Sequence, residues 1–227
     1  MGFLLDNMDL LLEGLWATIT LLLISLIFGF ALAIVVALAR LSQSKLIAYP
    51  TFFFTSVIRG TPLLVQIYIY YYGLGALFSQ MPGIRSSFLW PYLRDGYWYI
   101  AFALIVSTAG YLGEVIRGGL LSVPKGEVEA ARAFGMTATR ALVRVRLPRA
   151  IYLLTPTLAG ETVLLLKSTA LASTIAVVDL LGAANRIRSM TFEVYKPLLL
   201  VAVIYLIMTL LIEHIFKRIE KRIPVKA

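Results

Sequence analysis

The chain has 227 residues, 60% of them hydrophobic, with a mean hydropathy of +0.87 and a formal net charge of +9. Soluble domains are only about 45–50% apolar, so an ordinary soluble domain is excluded. There is no cysteine, which excludes disulfide and thiolate chemistry.

Backbone groups in lipid must be satisfied internally, so a spanning chain is built of helices or of a closed barrel. The apolar runs here are long and continuous rather than alternating, which selects an all-α polytopic membrane fold. A helix needs about 20 mainly apolar residues to cross the hydrocarbon core. That length places five spans, at 16–39, 51–78, 98–120, 151–177 and 197–216, in one membrane domain over 1–227. The start of the chain carries Asp6, Asp9 and Glu13 and no basic leader. The first run is therefore expected to stay as an anchor and not to be cleaved.

Five spans put the two termini on opposite sides. Arg40, Lys45, the loop from Arg117 to Arg149 and the tail from Lys217 to Lys226 together hold 14 basic residues. The other side holds only Arg85, Arg94, Arg186, Arg188 and Lys196. The positive-inside rule makes the first side cytoplasmic and the amino terminus external. Tyrosines and tryptophans from Tyr68 to Tyr99 cluster at the outer end of the second span and in the loop after it, as an aromatic belt or pocket lining does.

Between the third and fourth spans, about 119–150, the chain leaves the membrane and returns. Glu129, Ala130 and Ala131 favour a short helix with small contact residues. Gly135 suits its end, Thr137 suits the cap of a second helix, and Leu147 with Pro148 begins the return into the bilayer. Arg140, Arg144, Arg146 and Arg149 would also grip lipid headgroups. That use does not account for the spacing of Glu129, Gly135 and Pro148. Glu-Ala-Ala, three residues, Gly, nine residues, then Val145-Arg146-Leu147-Pro148 resembles the EAA loop of ABC importer permeases. Val145 stands where that family usually has isoleucine.

The resemblance extends to the segments Arg59-Gly60-Thr61-Pro62-Leu63-Leu64-Val65-Gln66 and Gly113 to Gly119, and to Ser122-Val123-Pro124-Lys125-Gly126. These are similar to the polar amino-acid branch of such permeases. Ser168-Thr169-Ala170-Leu171-Ala172 with Asp179-Leu180-Leu181 is similar to the subset that handles histidine, lysine, arginine, ornithine and opines. The resemblance implies a permease half in a bacterial inner membrane, paired with itself or a close homologue. It also implies two ATPase subunits that bind ATP and magnesium, and an extracytoplasmic amino-acid-binding protein. No cofactor, metal or nucleic acid is expected on this chain. It has no G-x-x-x-x-G-K-[ST] phosphate loop and no catalytic residue is assigned.

Ionisable groups inside spans are expensive and are functional candidates by default. Glu161 in the fourth span has no cation at i±3 or i±4, and Lys167 is turned about 120° away. A substrate cation would answer Glu161, as would an ion pair with Arg59 or Arg117. Related permeases for amide substrates commonly carry an uncharged residue there, so the resemblance points to a cationic substrate. Ser168 shares the face of Glu161, and Ser168 or Thr169 could bond a carboxylate. Thr61, Gln66 and Tyr111 complete the expected substrate contacts. The Gly60-Thr61-Pro62 step is expected as a kink, or as a helix start that favours an anion. Glu114, Arg117 and Arg59 are expected to be structural or gating, and His214 an interfacial side chain. A second reading, an ion-coupled secondary transporter using Glu161 or Glu114, lacks an inverted repeat. An intramembrane enzyme pairing Ser168 with His214 would need those residues at one depth, and they lie in different spans.

Overall fold

The computed structural model describes residues 7–222, and within them the chain is helical with no strand. Asp6, used above in the anchor expectation, and Lys226, used in the orientation argument, lie outside the described residues. Four single helices are long and apolar enough to cross a membrane, and a bent pair, taken as one broken span, makes a fifth. The crossings are α1 (Met8–Arg40), the pair α2 (Lys45–Gly60) and α3 (Leu63–Ser79), α4 (Gly96–Ser122), α7 (Thr155–Ile175) and α9 (Tyr195–Arg222). Between α4 and α7 lie α5 (Lys125–Ala133) and α6, which starts at Ala138–Ala141 and runs to Leu153. On the opposite side, α8 (Leu180–Thr191) links α7 to α9.

Helix α4 is the centre of the bundle. Ile100, Leu104, Ile116 and Leu120 on it are completely buried, against Leu21, Ala33 and Ala37 of α1. Close approach depends on two glycines. A Cβ at Gly29 would sit 2.7 Å from the Thr108 Cβ, and one at Gly113 would sit 2.5 Å from Val36 Cγ1. Small residues at such crossings let membrane helices meet along their backbones. The outer faces of α1 (Trp16, Leu23, Ile27, Val35) and α9 (Leu199, Val203, Leu206, Leu210) are exposed and wholly apolar, as lipid contact requires.

The second span, 51–78, breaks at the Gly60-Thr61-Pro62 step, and a new helix starts at Leu63. The chain turns through 105° between α2 and α3, a corner far sharper than a kink. Thr61 precedes proline and is extended (φ −113°, ψ 141°), as a pre-proline residue prefers. Gln66 then locks the corner: its Nε2 donates to Ile58 O at 2.8 Å and to Thr61 Oγ1 at 2.9 Å. The aromatic cluster beyond it turns partly inward. Tyr71 meets Tyr99 edge-on at 5.7 Å, and Tyr99 is buried with its hydroxyl donating to Leu93 O.

Asp179 caps α8 and knots three helices together. It accepts from the backbone N–H groups of Leu181 and Gly182 and from the Tyr205 hydroxyl. The next residue, Leu180, donates its N–H to Thr18 Oγ1 at 3.1 Å. Burial pushes the Asp179 carboxyl up to about 6, against the pull of those donors. Raising a carboxyl in the folded state favours its neutral form. Its contribution to stability therefore worsens as pH rises from the unfolded value near 4 and levels off above 6. Asp179→Asn keeps a capping side chain and removes this ionisation. The stability difference, variant minus wild type, is expected to grow between pH 4 and 6.5 in thermal melts of the detergent-solubilised protein. A difference that shrinks over that range contradicts the assignment.

Candidate functional site

A cavity of about 260 Å³ opens between α1, α3, α4 and α7. Glu161 and Ser168 reach it from α7, and Ser107, Thr108 and Tyr111 from α4. Leu63, the first residue after the corner, also lines it, so the 105° turn shapes one wall. Glu161 is half-buried and makes no hydrogen bond or ion pair with any described residue. Arg59 acts on it only at longer range, being engaged with Tyr111: its guanidinium lies 5.9 Å from that ring, and Tyr111 donates to Arg59 O. Arg117 is committed elsewhere, so neither cation considered for Glu161 forms an ion pair with it.

The other expected substrate contacts separate into two groups. Ser168 and Tyr111 border the cavity with Glu161. Thr169 is fully buried, donates to Leu166 O and turns toward Tyr205 of α9. Thr61 and Gln66 bond to each other at the corner and do not line the cavity. Ser107, Thr108 and Thr162 line it without having been singled out from the sequence. The adjacent hydroxyls Ser107-Thr108 in mid-span were the available signal.

Glu114 is held by three helices. It accepts from Arg40 Nε of α1 and Arg117 Nε of its own helix, both at 2.7 Å, and from Thr55 Oγ1 of α2 at 3.1 Å. Both carboxylate oxygens are engaged in these bonds, and Glu114 does not line the cavity. The arrangement ties α1, α2 and α4 at the ends nearest the α5–α6 loop.

That loop is a two-helix projection. Gly135 takes φ +82° and ends α5, and its N–H donates to Arg132 O. Thr137 caps α6, its side chain accepting from the Arg140 N–H. Helix α6 does not stop before Leu147: it widens to a π turn over Leu142–Arg146 and continues through Pro148, which has no N–H to donate to the preceding turn. Arg149 pairs with Glu127 at 3.2 Å and Arg146 Nε donates to Leu120 O, which fastens the projection to its own base. Two of the four arginines assigned above to lipid headgroups therefore have internal partners. Ala131 and Ala141 are buried between the helices, while Glu129, Ala130 and Gly135 are exposed. Phe134 at the tip is 89% exposed and was missed in the sequence, where a lone aromatic beside the glycine was the signal.

A cavity among membrane-crossing helices, beside a rigid extramembrane projection, defines a polytopic transport subunit. The chain belongs to the family described as binding-protein-dependent transport system inner membrane component, which matches residues 26–225. It is 43% identical over 218 residues to the octopine transport system permease protein OccM of Rhizobium meliloti, covering 96% of this chain and 87% of that one. It is 37% identical over 209 residues to the histidine/lysine/arginine/ornithine transport system permease protein HisM of Escherichia coli K12, covering 92% and 87%. A solved structure, an amino acid ABC transporter with histidines, superimposes with a TM-score of 0.81 at 31% identity, covering 97% of each chain. The chain is thus an ABC permease subunit, a transport component of systems whose ATPase activity lies in separate subunits. The ion-coupled reading has no support among these relatives.

Proposed function

We propose that this subunit carries cationic amino acids or opines into the cell, and that Glu161 receives their positive end. The observation that carries this reading is a half-buried carboxylate on a membrane cavity, with no cation bonded to it. An unpaired charge in that position is costly, and a guanidinium or ammonium substrate removes the cost on binding. Relatives named for octopine and for histidine, lysine, arginine and ornithine support it, since such substrates carry a cationic group. The cavity, about 260 Å³, is smaller than ligand pockets, which run about 300–1,000 Å³, and the exposed Leu164 lines it. A second permease half, identical or homologous, completes it.

In this reading the amino terminus is external and the α5–α6 projection is cytoplasmic, where ATPase subunits seat it. Their ATP-driven closure moves the projection as a rigid piece and exposes the cavity to each side in turn. An external binding protein delivers the substrate. The test is uptake into proteoliposomes by the complete complex with its binding protein. Arginine uptake is expected to require ATP inside and to be competed by lysine or octopine, not by glutamine. Uptake driven by an ion gradient without ATP, or equal competition by glutamine, overturns the proposal.

A further inference from the structure

We propose that the loop between α3 and α4 is an interfacial anchor: Phe88, Leu89 and Tyr92 enter the lipid leaflet opposite the α5–α6 projection, with Arg85 and Arg94 at the level of its phosphates. The inference is independent of what the subunit transports. The loop and the projection adjoin opposite ends of α4, so they lie on opposite sides of the bundle. The loop contains two one-turn helices, Pro82–Arg85 and Trp90–Leu93.

Its polarity is inverted relative to a loop that faces water. Phe88 is 83% exposed, Leu89 45% and Tyr92 53%. Polar side chains of the loop, by contrast, serve its own backbone. Ser86 Oγ donates to Pro82 O, Ser87 Oγ donates to Ile84 O, and Asp95 Oδ1 accepts from the Tyr97 N–H. Single exposed apolar residues are ordinary, but a contiguous group of large ones marks a contact surface.

The loop is also fastened in this form. The Arg85 guanidinium lies 5.8 Å from the Trp90 ring, which joins the two turns. Tyr92 meets Trp98 edge-on at 5.7 Å, and the Tyr99 hydroxyl donates to Leu93 O at 2.6 Å, which fixes the second turn to α4. Outward apolar side chains on a fastened loop do not fold back to escape water, so an apolar neighbour outside the subunit covers them.

Two observations select lipid as that neighbour. The exposed apolar surface runs on to the crossings at both ends, to Tyr72 and Leu77 on α3 and to Trp98 and Phe102 on α4. Arg85 and Arg94, both exposed, flank the apolar group. Cations beside an apolar face match phosphates above acyl chains. The backbone limits the depth. One-turn helices leave N–H and C=O groups without internal partners, and hydrocarbon does not tolerate them. The loop therefore lies in the interface, where tryptophan and tyrosine collect, and not in the bilayer core.

The chain has no cysteine, so a nitroxide on Phe88→Cys or on Tyr92→Cys reports a single position in it. The test places the assembled permease–ATPase complex in nanodiscs of phosphatidylethanolamine and phosphatidylglycerol, with the unsubstituted complex as background for labels on the partner subunits. Both labels are expected to collide more with oxygen than with a water-soluble nickel chelate, at a depth of about 5–10 Å into the headgroup and acyl boundary. Adding substrate-loaded binding protein is expected to leave that depth unchanged. The Arg85→Glu, Arg94→Glu double variant is expected to bring the label at position 88 closer to water, and an unchanged depth overturns the role given to the arginines. Labels that collide mainly with the nickel chelate place the loop in water and overturn the anchor. Shielding that appears only with the binding protein makes the surface a protein docking site and overturns it too. So does shielding from both probes in the complex alone, which means that the second membrane subunit covers the loop.

Discussion

Glu161→Gln should lower the apparent affinity for arginine by about 10- to 100-fold and reduce ATP-driven uptake accordingly. The estimate follows from losing one charge-assisted hydrogen bond to a cation, worth roughly 1.5–3 kcal/mol. Glutamine has the shape of glutamate, so the cavity wall formed with Ser168 and Tyr111 stays in place. Stability supplies an independent readout. Among the described residues Glu161 bonds to no cation, so neutralising it removes a desolvation cost and breaks nothing. The variant is therefore expected to melt at the same temperature as wild type, or higher. A lower melting temperature with unchanged arginine affinity would mean the carboxylate serves an ion pair between helices, and the substrate assignment would be lost.

Gly135→Pro should reduce ATP-driven uptake to background while leaving the membrane crossings folded. Gly135 sits at φ +82°, a value proline cannot reach, and its N–H donates to Arg132 O. Proline would also push Phe134, now at φ −77° and ψ 14°, out of the helical region. The angle between α5 and α6 would change, and a projection that fits a partner's cleft would no longer fit. The base of the loop is fastened separately, through Arg149 to Glu127 and Arg146 to Leu120, so damage stays local. A gentler companion is Phe134→Ala. An aromatic 89% exposed in the free subunit and buried on docking is worth about 2 kcal/mol, or roughly 30-fold in affinity for the ATPase. Substrate-stimulated ATP hydrolysis and co-purification with the ATPase measure both variants. Normal assembly and hydrolysis in both would return the loop to a lipid-headgroup role.

Much of the projection was legible because its signals are local. A glycine that ends a helix, a threonine that caps the next and a proline within a first turn each act over about four residues. The run-on of α6 through Leu142–Arg146 was not legible, since Leu147 and Pro148 read as a fresh start. The corner at Thr61 was marked by Pro62, yet the size of the turn depends on Gln66 reaching back to Ile58, which no propensity encodes.

The cavity was harder to read. Ser168 and Thr169 are adjacent and chemically alike, but about 100° of helix rotation sends one to the cavity and the other into α9. Thr61 and Gln66 bond to each other at the corner, and Glu114 draws Arg40 from 74 residues away.

By itself the sequence determined the all-helical membrane architecture, the projecting loop, and a carboxylate in the fourth span. These follow from hydropathy, the cost of charge in hydrocarbon, and short-range capping, all of which depend on composition and spacing along the chain. Only the tertiary structure decided which polar groups face the cavity and which are consumed by one another. Those outcomes depend on which helix faces meet. Packing settles that between residues distant in sequence, through close approaches such as Gly29 against Thr108.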